Sequence, residues 1–244
     1  MKTSDTIYTI IRANTRGGAD HGWLKANHSF SFANYYNPER VHFGALRVLN
    51  DDWVAPKEGF GKHPHDNMEI ITIPLNGELS HGDSMGNSSV ITAGEIQVMS
   101  AGSGVFQSEM NNNKEVAAEL LQIWIFPDRK SVEPRYDQRK IDVSGMKNRL
   151  LNIIKPFGDN EEEGIWIYQQ SWFYLSELEK GKSIEYITKK EGNGVYLFVI
   201  EGDISILGNK LSRRDAIAVT DSVSLEITSE KDAKFLIIDV PMKW

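Results

Sequence analysis

The sequence predicts an all-β fold with a similar β structure in each half of the chain. Three observations support this prediction: short β-type runs recur along the chain, turn residues separate them, and one set of turn motifs occurs twice. Strands at this spacing, without a long amphipathic helix, are typical of a barrel or a sandwich.

The predicted strands are short runs of apolar, β-branched and aromatic residues. Residues 28–32 and 222–227 alternate polar and apolar side chains, as half-buried strands do. Further strands are predicted over residues 69–75, 95–99, 121–126, 196–200, 204–207 and 235–240. Residues 115–121 contain good helix formers, but they lead into the β-branched and aromatic run 123–126, which favours a strand at their end.

The internal repeat predicts the domain organisation. Gly77-Glu78 in the first copy corresponds to Gly202-Asp203 in the second, and further turn pairs follow in both copies before the next strand. This arrangement predicts one barrel in each half. The polar stretch 134–145 predicts the boundary, so that residues 1–140 form an N-terminal barrel and residues 141–244 a smaller C-terminal barrel.

Composition excludes several function classes. The 244 residues carry a net charge of −7, and an acidic surface repels phosphate backbones, so direct nucleic-acid binding is not expected. The absence of cysteine excludes disulfides, thiolate metal sites and cysteine nucleophiles. Residues 1–11 hold no apolar stretch of signal-peptide length, and the longest apolar run, 195–200, is too short for a membrane span. We therefore expect a cytoplasmic protein that does not associate with membranes.

The distribution of histidine indicates where a metal could bind. All six histidines lie in the first third of the chain, at positions 21, 28, 42, 63, 65 and 81. A histidine metal site can therefore exist only in the N-terminal half. The C-terminal half is predicted to lack a metal site and to lack any cluster of converging ionisable groups.

The strongest candidate site is His63-Pro64-His65. Side chains at i and i+2 of a strand project from the same face, so both imidazoles can hold one metal ion. Glu69 has the same parity, and Gln107 and Glu109 form a second i, i+2 pair. His21, His28 and His42 are expected to be structural, and His81 is expected to have a packing or surface role.

Longer motifs surround this site and extend over most of residues 8–140. Two histidines, a glutamate and a glycine (His63, His65, Glu69 and Gly77) form the first motif of the cupins. The segments that continue it are Gly59-Phe60-Gly61-Lys62, Gly82-Asp83-Ser84-Met85-Gly86-Asn87, Met99-Ser100-Ala101-Gly102-Ser103-Gly104 and Glu133-Pro134-Arg135-Tyr136. Together these segments resemble the pirin family. The resemblance implies a bicupin, that is, two fused β-barrels of the double-stranded β-helix or jelly-roll type with few short helices.

The resemblance also implies a ligand set of His63, His65, position 107 and Glu109. Pirins have histidine at position 107, whereas this chain has Gln107, whose neutral amide is a weaker donor than imidazole. His63, His65 and Glu109 still match the two-histidine, one-carboxylate set of non-haem Fe(II) oxygenases. Among divalent transition metals, the resemblance favours iron. Nickel, copper, manganese and zinc are alternatives, and the metal site is expected to be filled completely or only weakly.

Two functions follow from the resemblance. The first is a quercetin 2,3-dioxygenase-like oxidoreductase that cleaves a flavonol-like aromatic substrate, with Glu109 or Glu69 accepting the phenolic proton. The alternative is a non-enzymatic regulatory protein that binds a protein partner and has a weakened metal site. Four residues that flank the motif either line an apolar pocket above the metal or belong to the ordinary core: Trp53, Phe60, Met68 and Phe106.

Overall fold

The structure, a computed structural model, describes residues 6–160 and 162–244. Residues 1–5, which belong to the segment inspected for a signal peptide, lie outside the described residues. The described ranges are built from β-strands and two short 3-10 helices, η1 (Ala13–Thr15) and η2 (Val143–Met146). In these ranges no helix has the length and apolar character needed to cross a bilayer. The cytoplasmic location stays a prediction.

The first half contains a seven-stranded and a four-stranded antiparallel sheet. The larger sheet has the order β12-β9-β6-β11-β4-β3-β2, and the smaller has the order β5-β10-β7-β8. The strands are β2 (Gly17–Asp20), β3 (Leu24–His28), β4 (Leu46–Val54), β5 (Gly59–His65), β6 (Glu69–Asn76), β7 (Glu78–Asp83), β8 (Ser88–Thr92), β9 (Glu95–Ser100), β10 (Val105–Met110), β11 (Ala118–Ile125) and β12 (Arg135–Lys140).

The second half also pairs a seven-stranded with a four-stranded sheet. Their orders are β1-β20-β17-β22-β15-β13-β14 and β16-β21-β18-β19. The strands are β1 (Ile7–Ile11), β13 (Leu151–Pro156), β14 (Ile165–Ile167), β15 (Trp172–Leu178), β16 (Ser183–Ile187), β17 (Asn193–Glu201), β18 (Asp203–Ile206), β19 (Asn209–Ser212), β20 (Ala216–Thr220), β21 (Ser224–Ser229) and β22 (Ala233–Pro241).

The two halves repeat one topology, as the turn motifs predicted. The order β9-β6-β11-β4 in the first half corresponds to β20-β17-β22-β15 in the second, and β5-β10-β7-β8 corresponds to β16-β21-β18-β19. Each half is a jelly-roll of two facing sheets. The all-β bicupin architecture is confirmed, although each predicted barrel is an open pair of sheets and not a closed cylinder.

One outermost strand crosses from the first half of the sequence to the sheet of the second half. β1 precedes the first half in sequence but pairs with β20 of the second, with Ile7 opposite Thr220 and Ile11 opposite Ala216. β12, the last strand before the predicted boundary, pairs with β9 of its own half. The domain boundary after residue 140 stays a prediction, and β1 lies on the C-terminal side of the assembly.

The two large sheets pack against each other through their outer faces. Leu49, Ile71 and Leu121 of the first half belong to one buried apolar cluster with Phe198 and Leu236 of the second. Burial of this many aliphatic side chains stabilises the contact between the halves. The inner face of each large sheet is therefore left to face its own small sheet.

The predicted strand over residues 28–32 is wrong. β3 ends at His28, because the backbone N–H of Ser31 donates to the carbonyl of Arg40 and the Ser31 hydroxyl bonds the backbone of Asn37. Ala33 then has a positive φ of 48°, which ends extended structure. The strand predicted from residue 222 begins at Ser224, and residues 115–117 precede β11 without forming a helix.

Candidate metal centre

A row of polar side chains crosses the inner face of the first half's large sheet. The five members of this row are buried, and each lies opposite the next on the neighbouring strand. They are His28 on β3, Asn50 on β4, Gln122 on β11, Thr72 on β6 and Gln97 on β9. The Nδ1 atom of His28 lies 2.9 Å from Oδ1 of Asn50, and Oγ1 of Thr72 donates to Oε1 of Gln122 at 2.7 Å. The row divides the apolar interior of this half into two small clusters.

The matching row in the second half is apolar. The corresponding cross-strand neighbours are Tyr174 on β15, Ile237 on β22, Leu197 on β17 and Ile217 on β20. They belong to one continuous buried cluster that fills the interior of that half. A polar interior row is therefore a feature of the first half, where it forms the wall of a cavity.

The four predicted metal ligands meet in that cavity. It has a volume of about 280 Å³ and is lined by His63 and His65 of β5 and by Gln107 and Glu109 of β10. β5 and β10 are antiparallel neighbours with His63 opposite Gln107, so the two i, i+2 pairs face the same space. The cavity reaches solvent beside His21, which is exposed.

The tautomer of His63 is fixed by its own strand. Nδ1 of His63 lies 2.7 Å from the carbonyl oxygen of Gly61. A carbonyl only accepts, so Nδ1 carries the hydrogen, and in the neutral ring the lone pair is on Nε2. A backbone acceptor on the outer ring nitrogen is the usual support of a metal-binding histidine.

His65 is held in the neutral form. Burial, with the neighbouring His63, lowers the pKa of His65 to about 4. Its ring packs edge-on against Trp124 at a centroid distance of 5.1 Å and against His63 at 4.8 Å. A neutral imidazole keeps the lone pair that a metal ion requires.

Gln107 bridges the two histidines. Its Nε2 atom lies 3.1 Å from Nε2 of His65 and 3.4 Å from Nε2 of His63. The amide NH₂ donates to these two acceptors, and Oε1 of Gln107 is buried without a hydrogen-bond partner. The side chain thus presents its hydrogens to the place where both imidazole lone pairs point.

Glu109 lies beside the polar row. A register shift between Gln107 and Glu109 sets Glu109 opposite Phe60, and the carboxyl is 4 % exposed. Burial raises the pKa of Glu109 to about 7, and a hydrogen bond from Gln122 opposes the rise. Oε1 of Glu109 has no partner. Because Oε1 of Gln122 accepts from Thr72, the amide NH₂ of Gln122 is the group directed at Glu109.

Asp52 is a second carboxyl in the same cavity. It lies on the inner face of β4, between Ala26 of β3 and Leu120 of β11. Burial, followed by the charges of Asp51 and Glu109, raises the pKa of Asp52 to about 8. Oδ1 of Asp52 is buried and has no hydrogen-bond partner.

The structure does not bring Glu69 to this cavity, which corrects its predicted role as a proton acceptor. Oε2 of Glu69 accepts from the hydroxyl of Ser100 at 2.7 Å, and the carboxylate also accepts the backbone N–H of Tyr168 in the second half. Strand parity fails here because a turn at Asn67, with φ of 44°, moves the chain from the small sheet to the large one.

The other predicted residues divide between the cavity and its surroundings. His21 and His28, which were expected to be structural, line the cavity. His81 is buried outside it, with Nε2 3.0 Å from Oδ2 of Asp83, which agrees with a packing role. His42 also lies elsewhere, with Nδ1 3.0 Å from the carbonyl of Gly44.

Of the flanking residues left open between pocket and core, only Phe60 lines the cavity. Phe106 is exposed and lies under the ammonium group of Lys62, and Trp53 pairs in the same way with Lys25. Met68 packs against one of the two small apolar clusters.

The second half contains a cluster of converging ionisable groups, so the prediction that it has none is wrong. Asp239 is fully buried, and it accepts from the Tyr186 hydroxyl at 2.6 Å, from Nδ2 of Asn193 at 2.6 Å and from the backbone N–H of Lys189 at 2.9 Å. Such a cluster needs no histidine. Because these donors satisfy the carboxylate, its role is structural. The absence of a metal site in this half stays a prediction.

The side chains that line the cavity of the first half can hold a metal ion if the amide of Gln107 turns. Among the described residues, no three His, Asp or Glu side chains are spaced to hold a metal by themselves. His63 and His65 offer two imidazole lone pairs, and the unpartnered oxygens of Gln107 and Glu109 are further donors. Gln107 must turn its amide so that Oε1 replaces NH₂ in front of the imidazoles.

Asn50, Asp52, Gln122 and Trp124 also line the cavity but were not predicted as site residues. A signal for them exists in the sequence, because polar side chains stand in the middle of apolar runs such as the one that forms β4. Which of Asp51 and Asp52 faces inward depends on strand register, and the sequence of a single strand does not reveal it.

Comparisons with known proteins agree with the architecture. Residues 10–125 match the family model described as Pirin, and residues 158–240 match the one described as Quercetinase C-terminal cupin domain. The two matches fall on the two jelly-roll halves.

Relatives match over nearly the whole chain. A protein named quercetin 2,3-dioxygenase from Escherichia coli (strain K12) is 40% identical, with 95% of this chain and 98% of that protein covered. A pirin-like protein from Caulobacter vibrioides is 37% identical, covering 91% and 95%. The crystal structure of the bacterial pirin YhhW from Escherichia coli in complex with nickel(II) superposes with a TM-score of 0.90 at 37% identity, covering 96% and 99%. The chain belongs to the pirin family of bicupins.

Proposed function

We propose that this pirin is a metal-dependent dioxygenase that cleaves a flavonol-like aromatic substrate in the cavity of its first half. The proposal rests on one observation above all: two imidazoles, an amide and a carboxyl converge on a cavity that also has apolar walls. The name of the Escherichia coli relative and the nickel(II) complex of a similar structure support the reaction class and a divalent metal.

His63, His65, Gln107 and Glu109 would hold the metal. A divalent transition metal bound there supplies a Lewis acid for the substrate oxygens and a redox centre for chemistry with O₂. Nε2 of His63 is available because Gly61 binds the other ring nitrogen, and His65 is neutral because it is buried. The resemblance implies iron and the similar structure contains nickel(II), so the metal is to be identified by measurement.

The carboxyl of Glu109 is suited to accept the phenolic proton of the substrate. A pKa raised to about 7 lies close to neutral pH, where a general base works best. Gln122 directs its NH₂ at this carboxyl and keeps the ionised form accessible despite burial. Leu24, Ala26, Phe60 and Leu120 provide apolar walls for a flat aromatic ring and limit the entry of water.

The test is anaerobic reconstitution with Fe(II) or Ni(II), followed by measurement of O₂ uptake with quercetin. The proposal expects turnover by the metal-loaded protein and its loss in His63→Ala. Glu201→Gln, which changes an exposed residue of the second half, serves as a control that should keep full activity. Metal content near one equivalent without any turnover would overturn the enzymatic proposal.

The glutamine at position 107 favours a second candidate, a non-enzymatic regulatory protein that binds a protein partner. An amide in place of imidazole weakens the metal site, which an enzyme tolerates less well than a binding protein does. Metal-dependent changes in partner binding, in the absence of O₂ uptake, would support this candidate.

A further inference from the structure

Besides Trp124, whose Nε1 has no hydrogen-bond partner, three residues that line the cavity have a buried oxygen without one. These oxygens are Oε1 of Gln107, Oε1 of Glu109 and Oδ1 of Asp52. Gln107 and Glu109 belong to the proposed metal centre. Asp52 lies outside that set, so its unpartnered oxygen needs a separate explanation.

Asp52 does not contribute to the fold in any evident way. Its cross-strand neighbours, Ala26 and Leu120, offer no hydrogen bond, and the side chain is 7 % exposed. A buried carboxyl with an unpartnered oxygen destabilises a protein, and an apolar side chain of similar volume is usually at least as stable. At the corresponding position of the second half, Ser176 is a small uncharged residue.

We propose that Asp52 is a substrate-binding residue that hydrogen-bonds a hydroxyl group of the substrate other than the group directed at His63 and His65. The assignment rests on the proposed function and names the substrate class more closely. The cavity takes a planar aromatic that carries at least two separated hydroxyl groups, one for the metal centre and one for Asp52. Ala26, Leu120 and Phe60 contact the apolar ring between them.

The experiment compares two ligands and three variants of the metal-loaded full chain. Quercetin carries several ring hydroxyls, whereas 3-hydroxyflavone keeps only the hydroxyl and carbonyl that can chelate a metal. Dissociation constants are measured without O₂ by quenching of tryptophan fluorescence, for the wild type, Asp52→Leu and Asp52→Asn. Ser176→Ala is the matched control, because it removes a buried, unpartnered hydroxyl far from the cavity.

Wild type and Ser176→Ala should bind quercetin more tightly than 3-hydroxyflavone. Asp52→Leu should lose roughly tenfold in affinity for quercetin, the effect of one hydrogen bond, and should bind 3-hydroxyflavone as the wild type does. Asp52→Asn, which keeps polar atoms at this position, should retain part of the preference. Asp52→Leu should also unfold at a higher temperature, a result that a purely structural role for Asp52 would not produce.

Two other outcomes are decisive in different ways. If the wild type binds both flavonols and Asp52→Leu keeps the preference for quercetin, Asp52 is not a substrate-binding residue and the proposed function stands. If the metal-loaded wild type binds neither flavonol, the proposed function is overturned and the assignment of Asp52 falls with it.

Discussion

The amide nitrogen of Gln107 lies 3.1 Å from Nε2 of His65 and 3.4 Å from Nε2 of His63, so one NH₂ group faces both lone pairs that a metal would use. The amide hydrogens are positively polarised and face both ring nitrogens. Metal binding must break these two hydrogen bonds and turn the amide. Gln107 therefore opposes metal binding in two ways, as a weak ligand and as a competitor.

Gln107→His should raise metal affinity. Replacing an amide by imidazole strengthens a ligand, and even indirect changes around metal ligands alter affinity by ~10 to 100-fold, or ~1.4 to 2.7 kcal/mol. The measurement is titration of Fe(II) or Ni(II) into metal-free protein, with elemental analysis of the product. His63→Ala, which removes one of the two imidazole ligands, should lose metal binding. Equal affinities of wild type and Gln107→His would show that the amide oxygen is a sufficient ligand.

Glu69→Gln should flatten the dependence of stability on pH. Burial raises the pKa of Glu69 to about 7 from a usual 4.5, so its contribution is complete below pH 4.5 and is lost as pH rises through 7. The loss is on the order of 3 kcal/mol. Urea unfolding at pH 5 and pH 8 should therefore show a smaller decline for Glu69→Gln than for the wild type. Parallel curves would mean that Glu69 titrates as it does in the unfolded chain.

The Thr72–Gln122 pair predicts a non-additive effect on stability. Thr72→Val leaves Oε1 of Gln122 without its partner and should cost about 1 to 3 kcal/mol, whereas Gln122→Leu removes the partner of both Thr72 and Glu109 and should cost more. The double variant reproduces the apolar pairing of Leu197 with Ile237 in the second half, so it should be more stable than the sum of the two single losses predicts, although Glu109 still lacks its Gln122 donor. Free energies of unfolding in urea give the coupling. Additive losses would argue against the pairing.

Asp51→Asn should strongly destabilise the contact between the halves. Oδ2 of Asp51 lies 3.2 Å from the guanidinium groups of both Arg16 and Arg214, which are almost completely buried. Removing the charge leaves two buried cations and should cost about 3 to 5 kcal/mol. Glu201→Gln breaks an exposed pair with Arg213 and should cost about 1 kcal/mol or less. Similar losses for both variants would contradict the prediction.

Residue spacing in the sequence correctly predicted which side chains share a face when they lie in the same strand. The i, i+2 spacing of His63 and His65, and of Gln107 and Glu109, was sufficient because each pair lies within one strand. The same parity failed for Glu69, where the chain passes to another sheet. The polar row depends on the register of five strands distant in sequence, and such register is set by tertiary pairing. Asp239 was missed because the prediction for the second half considered histidine above all.

The pairing of β1 with β20 affects how the chain folds during synthesis. Ile7 to Ile11 are synthesised more than 200 residues before their hydrogen-bonding partner, β20. The edge of β1 must therefore stay unpaired while the rest of the protein is translated, and pairings between such distant segments form slowly. An unpaired apolar strand is also a template for association with other chains. The second jelly-roll can therefore gain β1 only after β20 has been synthesised, and a product truncated before β20 would keep the edge of β1 unpaired.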